Sequence, residues 1–322
     1  MRTTRRTLVL SASAAVLGVT PARAQPYPAR PVRLVSPFAP GGGTDILGRI
    51  VAQKFSEFFG GNMIVENRAG AGGNVGAQSV AKAEPDGYTL LMAVNSYVIN
   101  ANVHRSVPFD LRRDFAPIGM VATSPFALVV HPSLPVHTVQ ELIAYAKLRS
   151  GELNFGSAGL ATAPHIGMEL FKLMTGTDMR HVPYQGSGPN VTGLLRGDVQ
   201  VSAISLNSIE GFMGTDQMRM IAVMSPARLP RLPDIPTVAE SVPGFEVDLW
   251  YAMLAPRQTH KEIVAKLSAD LKRALESPDL RDGMPAKGFT PAYSTPEELS
   301  RIIESDLARW KDVVERIGLK AS

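Results

Sequence analysis

The loop Pro37-Phe38-Ala39-Pro40-Gly41-Gly42-Gly43-Thr44-Asp45 follows a short apolar run at 32–35 and leads into an amphipathic segment that begins at Ile46. A glycine loop between a strand and a helix leaves backbone N–H groups free at the helix N-terminus. Those groups and the helix dipole attract an anion. The loop therefore predicts a site for a small carboxylate or phosphate.

The first 24 residues have the layout of a secretory signal peptide. A basic segment that ends at Arg6 precedes an apolar stretch at 8–19, and Ala22-Arg23-Ala24 fits an A-x-A cleavage site. The apolar stretch is too short for a transmembrane span. We therefore expect an exported protein that is cleaved after Ala24, and the pair Arg5-Arg6 leaves both Sec and twin-arginine export open.

The charge balance gives no support for a nucleic-acid partner. The whole chain has 33 Lys and Arg, 29 Asp and Glu, and a net charge of +4. Four arginines and no acidic residue lie in the first 24 positions, which leaves 29 basic and 29 acidic residues in the rest. The basic excess therefore belongs to the export signal and gives no indication of nucleic-acid binding. The chain has no cysteine, which excludes disulfides and thiol-based sites.

Predicted strands and helices alternate along the first third of the chain. We predict strands at 32–36, 63–66 and 88–93 with a helix in each interval, and the second helix again follows a glycine loop, 67–76. Such alternation implies a mostly parallel sheet with helices on both faces. Because loops at the carboxyl ends of parallel strands gather at one edge, both glycine loops are expected there.

A second alternating block contains two more small-residue loops, at 156–163 and 182–189, each ahead of a predicted helix. We expect two α/β domains, the first made of residues 25–124 plus 248–322 and the second of residues 125–247. If these domains face each other, the helix N-termini behind the four loops converge on one cleft. Such a cleft has many N–H and hydroxyl donors and few fixed charges, which suits a carboxylate.

Nucleotide binding is the alternative function for such loops. Gly70 and Gly72 begin a G-x-G-x-x-G pattern, but Val75 stands where the third glycine would be. The chain also has no G-x-x-x-x-G-K-[ST] motif. The sequence therefore favours a carboxylate over a nucleotide, and we expect no cofactor.

The familiar catalytic motifs are absent from the sequence. Ser157 and Ser187 each follow a glycine directly, so neither lies in G-x-S-x-G, and the histidines show no metal-ligand spacing. We therefore expect no metal site and no enzyme. Asp45 suits a helix cap or a loop brace better than a catalytic acid. His165 suits capping or packing as well as a ligand-facing role, and Tyr184 suits a cleft wall as well as the core.

Six motifs in a fixed order give the chain a resemblance to a known family. Over essentially its whole length it resembles the extracytoplasmic solute receptors of the tripartite tricarboxylate transporters, the Bug-type receptors. The motifs are the loop at 37–45 and then Glu66-Asn67-Arg68-Ala69-Gly70-Ala71-Gly72-Gly73-Asn74-Val75-Gly76, Pro85-Asp86-Gly87-Tyr88-Thr89, Asn154-Phe155-Gly156-Ser157-Ala158-Gly159, Val182-Pro183-Tyr184-Gln185-Gly186 and Leu232-Pro233-Asp234-Ile235-Pro236-Thr237-Val238-Ala239-Glu240.

The resemblance implies a type II periplasmic-binding-protein fold, in which two α/β domains close on a ligand cleft between them. It also implies capture of a small organic acid. One carboxylate is held by backbone groups and waters at the loops of the first domain, and the second domain supplies Ser and Thr hydroxyls. Carried onto this chain, the resemblance assigns ligand-binding roles to Phe38, Gly42, Thr44, Asp45, Gly73, Asn74, Ser96, Ser157, Thr162, His165 and Tyr184.

Two positions depart from the family's pattern. After the strand that contains residues 197–201, amino-acid-binding relatives tend to carry an acidic residue that can pair with the ammonium group of the ligand. This chain has Ile204 at that position, followed by Ser205. We therefore predict a mono- or dicarboxylate without an amino group. Family members often have Thr-His after the third strand, where this chain has Ser96-Tyr97. Tyr97 is expected to reshape the pocket or to stack on an aromatic acid.

The resemblance also implies partners. We expect a monomer that delivers its ligand to the membrane permease subunits of a tripartite tricarboxylate transporter. The sequence leaves open a ligand sensor that signals through a membrane sensor kinase. An exported hydrolase or isomerase that uses Asp45 and His165 is the third alternative, although no nucleophile–base pair is visible.

Overall fold

The computed structural model describes residues 27–59, 61–103 and 107–319, and the predicted export signal at 1–24 lies outside them. The described residues form a mixed α/β structure with two sheets. None of the helices in this part of the chain combines the length and the apolar character that a membrane span requires. In chain order the main elements are β1 (Val32–Ser36), α1 (Gly43–Phe59), β2 (Met63–Asn67), α2 (Asn74–Ala81), β3 (Thr89–Val94), α3 (Ser96–Val103), β4 (Phe115–Thr123), β5 (Phe126–Val130), α4 (Val139–Leu148), β6 (Asn154–Ser157), α5 (Ala163–Thr175), β7 (Arg180–Pro183), α6 (Ser187–Leu195), β8 (Val201–Ser205), β9 (Arg219–Val223), β10 (Trp250–Pro256), α7 (Lys261–Glu276), α8 (Pro278–Gly283), β11 (Thr290–Pro291) and α9 (Pro296–Ile317).

The first sheet has the strand order β11-β4-β10-β3-β1-β2. β1 pairs in parallel with β2 and β3, whereas β10 lies antiparallel between β3 and β4. The predicted parallel arrangement is confirmed for β1, β2 and β3, but it does not extend to the whole sheet, because β10 returns from the other half of the molecule and is inserted antiparallel beside β3. β3 and β10 are buried along their whole length, which explains why both are nearly continuous apolar runs.

The second sheet has the strand order β7-β6-β8-β5-β9. β6 is parallel to β7 and β8, while β5 is antiparallel to β8 and β9. The chain passes from the first sheet to the second between β4 and β5 and returns between β9 and β10. These two connections touch, because the Ser124 N–H donates to the Leu249 carbonyl at 2.9 Å. The domain boundaries at 124/125 and 247/248 stay a prediction, and they fall within these connections.

The C-terminal helix α9 shows how the sequence pattern sets an element and its packing. Thr295 Oγ1 accepts the Glu298 N–H at 3.2 Å in a capping box that fixes the start of the helix. One face of α9 carries a stripe of apolar residues that Asp306 interrupts. Asp306 accepts a hydrogen bond from Trp250 Nε1 at 2.6 Å and so connects the helix to β10. The other buried residues of the stripe are Leu299, Ile303, Trp310 and Val314.

Two local differences from the sequence expectations affect the cleft. The segment that follows β3, for which the sequence predicts no helix and only a place at the same edge of the sheet, is the helix α3. Its residues 96–100 are all buried, so the amphipathic period that would have predicted a helix is absent. The pattern after the fourth loop predicts a helix at 190–196, but α6 already begins at Ser187. Ser96 and Ser187 therefore occupy the first positions of helices.

Candidate ligand-binding cleft

Four helices begin at one cavity between the two sheets. α1 and α3 follow strands of the first sheet, and α5 and α6 follow strands of the second. Gly43, Ser96 and Ser187 are the first residues of α1, α3 and α6 and line the cavity, as does Thr162, which directly precedes α5. Helix N-termini carry N–H groups without intrahelical partners and the positive end of the dipole. The cavity is therefore suited to negative charge.

Hydroxyl groups and small or apolar groups line this inner cavity, and none of its described lining residues has a charged side chain. The space open to the centre of a water-sized sphere is about 30 Å³. A single water needs about 10–15 Å³ on such a measure. The inner cavity thus has room for a group of carboxylate size. Its lining residues are Phe38, Gly42, Gly43, Thr44, Val94, Ser96, Phe126, Ala158, Thr162, Pro164, Ser187, Ser205, Leu249 and Tyr251.

The loop at 37–45 is held in place by an ionised carboxylate. Asp45 accepts hydrogen bonds from the Gly41 N–H at 3.1 Å and from Arg49 Nη2 at 2.8 Å. Burial raises the pKa of Asp45, but the hydrogen bonds from Arg49 and Gly41 outweigh it, so the pKa of this carboxyl lies below its ordinary value. Asp45 does not line the inner cavity. Its contacts are those of a loop brace.

A pair of histidines, of which His165 is buried and His181 is half-buried, supports the opposite wall. The rings of His165 and His181 stack with centroids 3.9 Å apart. His165 Nδ1 accepts the Ala161 N–H at 3.1 Å, and His181 Nε2 lies 2.7 Å from Ser157 Oγ. Burial lowers the pKa of His165 to about 3 and that of His181 to about 4, so both rings are neutral near pH 7. These contacts hold the loop that carries Thr162, and Ser157 itself is not among the residues that line the inner cavity.

The two halves of the molecule touch across the cleft. The Ala39 N–H donates to the Gln185 carbonyl at 3.1 Å, which joins the loop at 37–45 to the loop before α6. The Ala163 N–H donates to Ser96 Oγ at 3.2 Å, which joins α5 to α3. The structure therefore has its cleft in a closed arrangement.

Comparison with known proteins identifies the family. A family model described as the tripartite tricarboxylate transporter family receptor, TctC, matches residues 47–319. The chain belongs to this receptor family. Protein BugT of Bordetella pertussis is 35% identical to it over 99% of this chain and 99% of its own. The resemblance carried by the six motifs is thus confirmed, and the receptor is of the periplasmic solute-binding TctC/Bug type rather than a member of an enzyme family.

Solved structures of similar proteins confirm the predicted fold class of the receptor. Rpa4515 of R. palustris, with adipate, has a TM-score of 0.89 and 36% identity over 91% of this chain and 99% of its own. MatC (Rpa3494) from Rhodopseudomonas palustris, with bound malate, has a TM-score of 0.85 and 29% identity over 89% of this chain and 100% of its own.

The structure divides the predicted site residues of the receptor into three groups. Phe38, Gly42, Thr44, Ser96 and Thr162 line the inner cavity. Gly73 and Tyr184 line a neighbouring compartment together with Phe38. Outside both lie Asp45, Asn74, Ser157 and His165; of these, Asn74 Oδ1 accepts a hydrogen bond from Asn100 Nδ2 at 3.0 Å.

Two expectations about single positions change with the structure. The residue that follows the 197–201 segment and faces the cavity is Ser205, whereas Ile204, the position compared with the acid of amino-acid-binding relatives, packs in the second apolar core. Tyr97 is fully buried, donates from its hydroxyl to the Gly73 carbonyl at 3.2 Å and meets the ring of Phe109 edge-on. The expectation that Tyr97 stacks on a ligand is therefore wrong, because its neighbour Ser96 faces the cavity instead.

Sequence reasoning missed several lining residues, and the reason differs between them. Ser187 had a local signal, since it lies in the fourth small-residue loop. Tyr251 had none: it reaches the cavity from β10, and its hydroxyl accepts a hydrogen bond from Asn207 Nδ2 at 3.0 Å. The missed lining residues are Gly43, Val94, Phe126, Ala158, Pro164, Ser187, Ser205, Leu249 and Tyr251.

Proposed function

We propose that the receptor binds a small mono- or dicarboxylate without an amino group, with one carboxylate in the inner cavity, and delivers it to the permease of a tripartite tricarboxylate transporter. The observation that carries this proposal is the chemistry of the lining. Four helix N-termini and several hydroxyls offer hydrogen-bond donors to an anion. No carboxylate among the described lining residues is available to an ammonium group, whose burial without a partner is costly.

The relatives support the ligand class. Adipate accompanies one similar structure and malate is bound in another. Both are dicarboxylates without an amino group. Because none of the described lining residues is a carboxylate or a histidine, we expect the affinity for a monocarboxylate to be constant between about pH 6 and 8, where a carboxyl with a pKa near 4 is already ionised.

Closure of the cleft around the ligand connects ligand binding with delivery to the permease. The contacts from Ala39 to Gln185 and from Ala163 to Ser96 exist only while the two walls are together. A ligand that contacts both walls stabilises this closed form by its differential affinity for it. The permease then recognises the closed form with its ligand inside.

The test is a pair of ligands that differ by one amino group. Isothermal titration and thermal unfolding are carried out with succinate against aspartate, with malate and adipate as further probes. We expect succinate to bind and to raise the melting temperature, and aspartate to do neither. Preferential binding of aspartate or glutamate, or no binding of any carboxylate, would contradict the proposal.

A side-chain variant locates the site. Ser187→Ala removes one hydroxyl from the cavity, and we expect a loss of about 2–10-fold in affinity, the effect of one net hydrogen bond. Ser300→Ala is the matched control, because Ser300 is exposed on α9 and its hydroxyl donates to the Pro296 carbonyl at 3.0 Å. Equal effects of the two substitutions would place the ligand elsewhere.

A further inference from the structure

A second, larger space adjoins the inner cavity. On the same measure it is about 320 Å³, against about 30 Å³ for the inner cavity. Phe38 and Ala158 line both spaces and form the boundary between them. We call this space the outer compartment; its lining residues are Phe38, Gly70, Ala71, Gly72, Gly73, Ala158, Gly159, Leu160, Pro183, Tyr184 and Gln185.

The outer compartment differs from the inner cavity in chemistry. Its larger side chains are those of Phe38, Leu160, Pro183, Tyr184 and Gln185, and none of its described lining residues is charged. The inner cavity, in contrast, is lined by several hydroxyl groups. Leu160 is 43% exposed, so its side chain offers apolar surface to a group in the compartment.

The backbone is strained on both walls of this compartment. Ala71 and Ala161 have φ values of 47° and 57° and are the two non-glycine residues with positive φ within the described ranges. Ala71 lines the compartment from the first-sheet half, and Ala161 follows Leu160 in the second-sheet half. Such strain persists only where the surrounding structure enforces it, and it is concentrated at ligand-binding and functional sites.

Glycines bring the two walls together at one side of the compartment. A Cβ atom placed on Gly72 would lie 2.7 Å from the Leu160 carbonyl oxygen, and one placed on Gly159 would lie 3.6 Å from the Cα of Gly72. Larger residues there would hold the walls apart. The compartment is therefore formed by cleft closure, as the inner cavity is.

We infer that the outer compartment holds the alkyl or aryl body of the acid whose carboxylate lies in the inner cavity. The inference rests on the proposed function and specifies its substrate class: acids with an apolar chain bind more tightly than the shortest acids. The inner cavity accommodates one carboxylate group, and the chain continues past Phe38 and Ala158 into a space of ligand-pocket size.

The first experiment is a homologous series of straight-chain monocarboxylates, from propionate to heptanoate, titrated calorimetrically into the receptor. We expect the affinity to rise about fourfold for each added methylene until the compartment is filled. Equal affinities along the series would overturn the inference and leave the proposed function intact. Binding of malate without binding of any monocarboxylate would also overturn the inference, whereas the absence of all carboxylate binding would instead overturn the proposed function.

The second experiment uses a matched pair of leucine variants. Leu160 lines the compartment and is 43% exposed, while Leu173 lies on α5 outside it and is 50% exposed. We expect Leu160→Ser to lower the ratio of heptanoate to propionate affinity roughly tenfold, because one apolar wall is lost. Leu173→Ser should leave that ratio within twofold of the unsubstituted receptor. The same ratio in both variants would show that the chain does not contact Leu160.

Discussion

Gly43 is the position at which one methyl group should disturb the cleft most. It is the first residue of α1, and a Cβ atom placed there would overlap the hydroxyl of Tyr251 and would lie 2.8 Å from Asn207 Oδ1. Real Cβ atoms essentially never approach other heavy atoms below 3.0 Å. Tyr251 is 2% exposed, so its ring has little freedom to move aside. Gly43→Ala therefore requires the α1 start or the Tyr251–Asn207 contact to shift.

The size of the effect follows from two terms. Forcing one methyl group into a well-packed region costs about 1–3 kcal/mol. Separating the Tyr251 hydroxyl from Asn207 Nδ2, now 3.0 Å away, leaves buried polar groups unpaired at a cost of about 1–3 kcal/mol. We expect a loss of about 2–6 kcal/mol in the free energy of unfolding, which corresponds to a fall of roughly 5–20 °C in melting temperature.

The assay is thermal unfolding followed by circular dichroism, with Gly42→Ala as the control. A Cβ on Gly42 would have its nearest neighbours at 3.6 and 3.7 Å, which is ordinary van der Waals contact. Gly42→Ala should therefore change the melting temperature by less than about 2 °C. If Gly43→Ala were as stable as Gly42→Ala, the packing of Tyr251 against the first turn of α1 would be refuted.

Three further predictions concern stability. Burial holds the pKa of His165 at about 3 and that of His181 at about 4, against about 6.5 in the unfolded chain, so the unfolded chain binds more protons at acid pH. The free energy of unfolding should therefore fall as the pH drops below about 6.5, by up to about 1.4 kcal/mol per pH unit for each histidine. Denaturant titrations at pH 7 and pH 5 should show this dependence on pH, and His165→Gln should show a weaker one. The pKa of Asp45 is lowered in the folded protein, so its contribution to the free energy of unfolding is present above about pH 4 and is lost as the pH falls through the folded pKa. Asp45→Asn should lower the free energy of unfolding by about 1–2 kcal/mol at pH 7 and change ligand affinity less than threefold. A larger change in affinity would indicate that Asp45 contacts the ligand. Thr295→Ala should cost about 1 kcal/mol by removing the cap of α9, and an unchanged denaturation midpoint would contradict that role.

Local patterns predicted much of the structure. Glycine loops ahead of apolar periods correctly placed β1, α1, β2 and α2, because such signals depend on residues a few positions apart. The same reasoning did not predict α3, since its residues 96–100 are all buried and show no exposed polar face that would reveal the helical period. It also could not place β10 antiparallel between β3 and β4, because strand order depends on contacts between distant parts of the chain.

The sequence by itself determined the family, the two-half α/β organisation and the four small-residue loops ahead of helices, because each depends on motifs that are complete within short segments. Only the tertiary structure decided which groups share one cavity. It moved Asp45 and His165 out of the lining, brought in Ser205 and Tyr251, and created the outer compartment between Leu160 and the glycines at 70–73. These outcomes depend on the closure of two halves whose contact residues lie far apart in the chain, and no local pattern encodes such a distance.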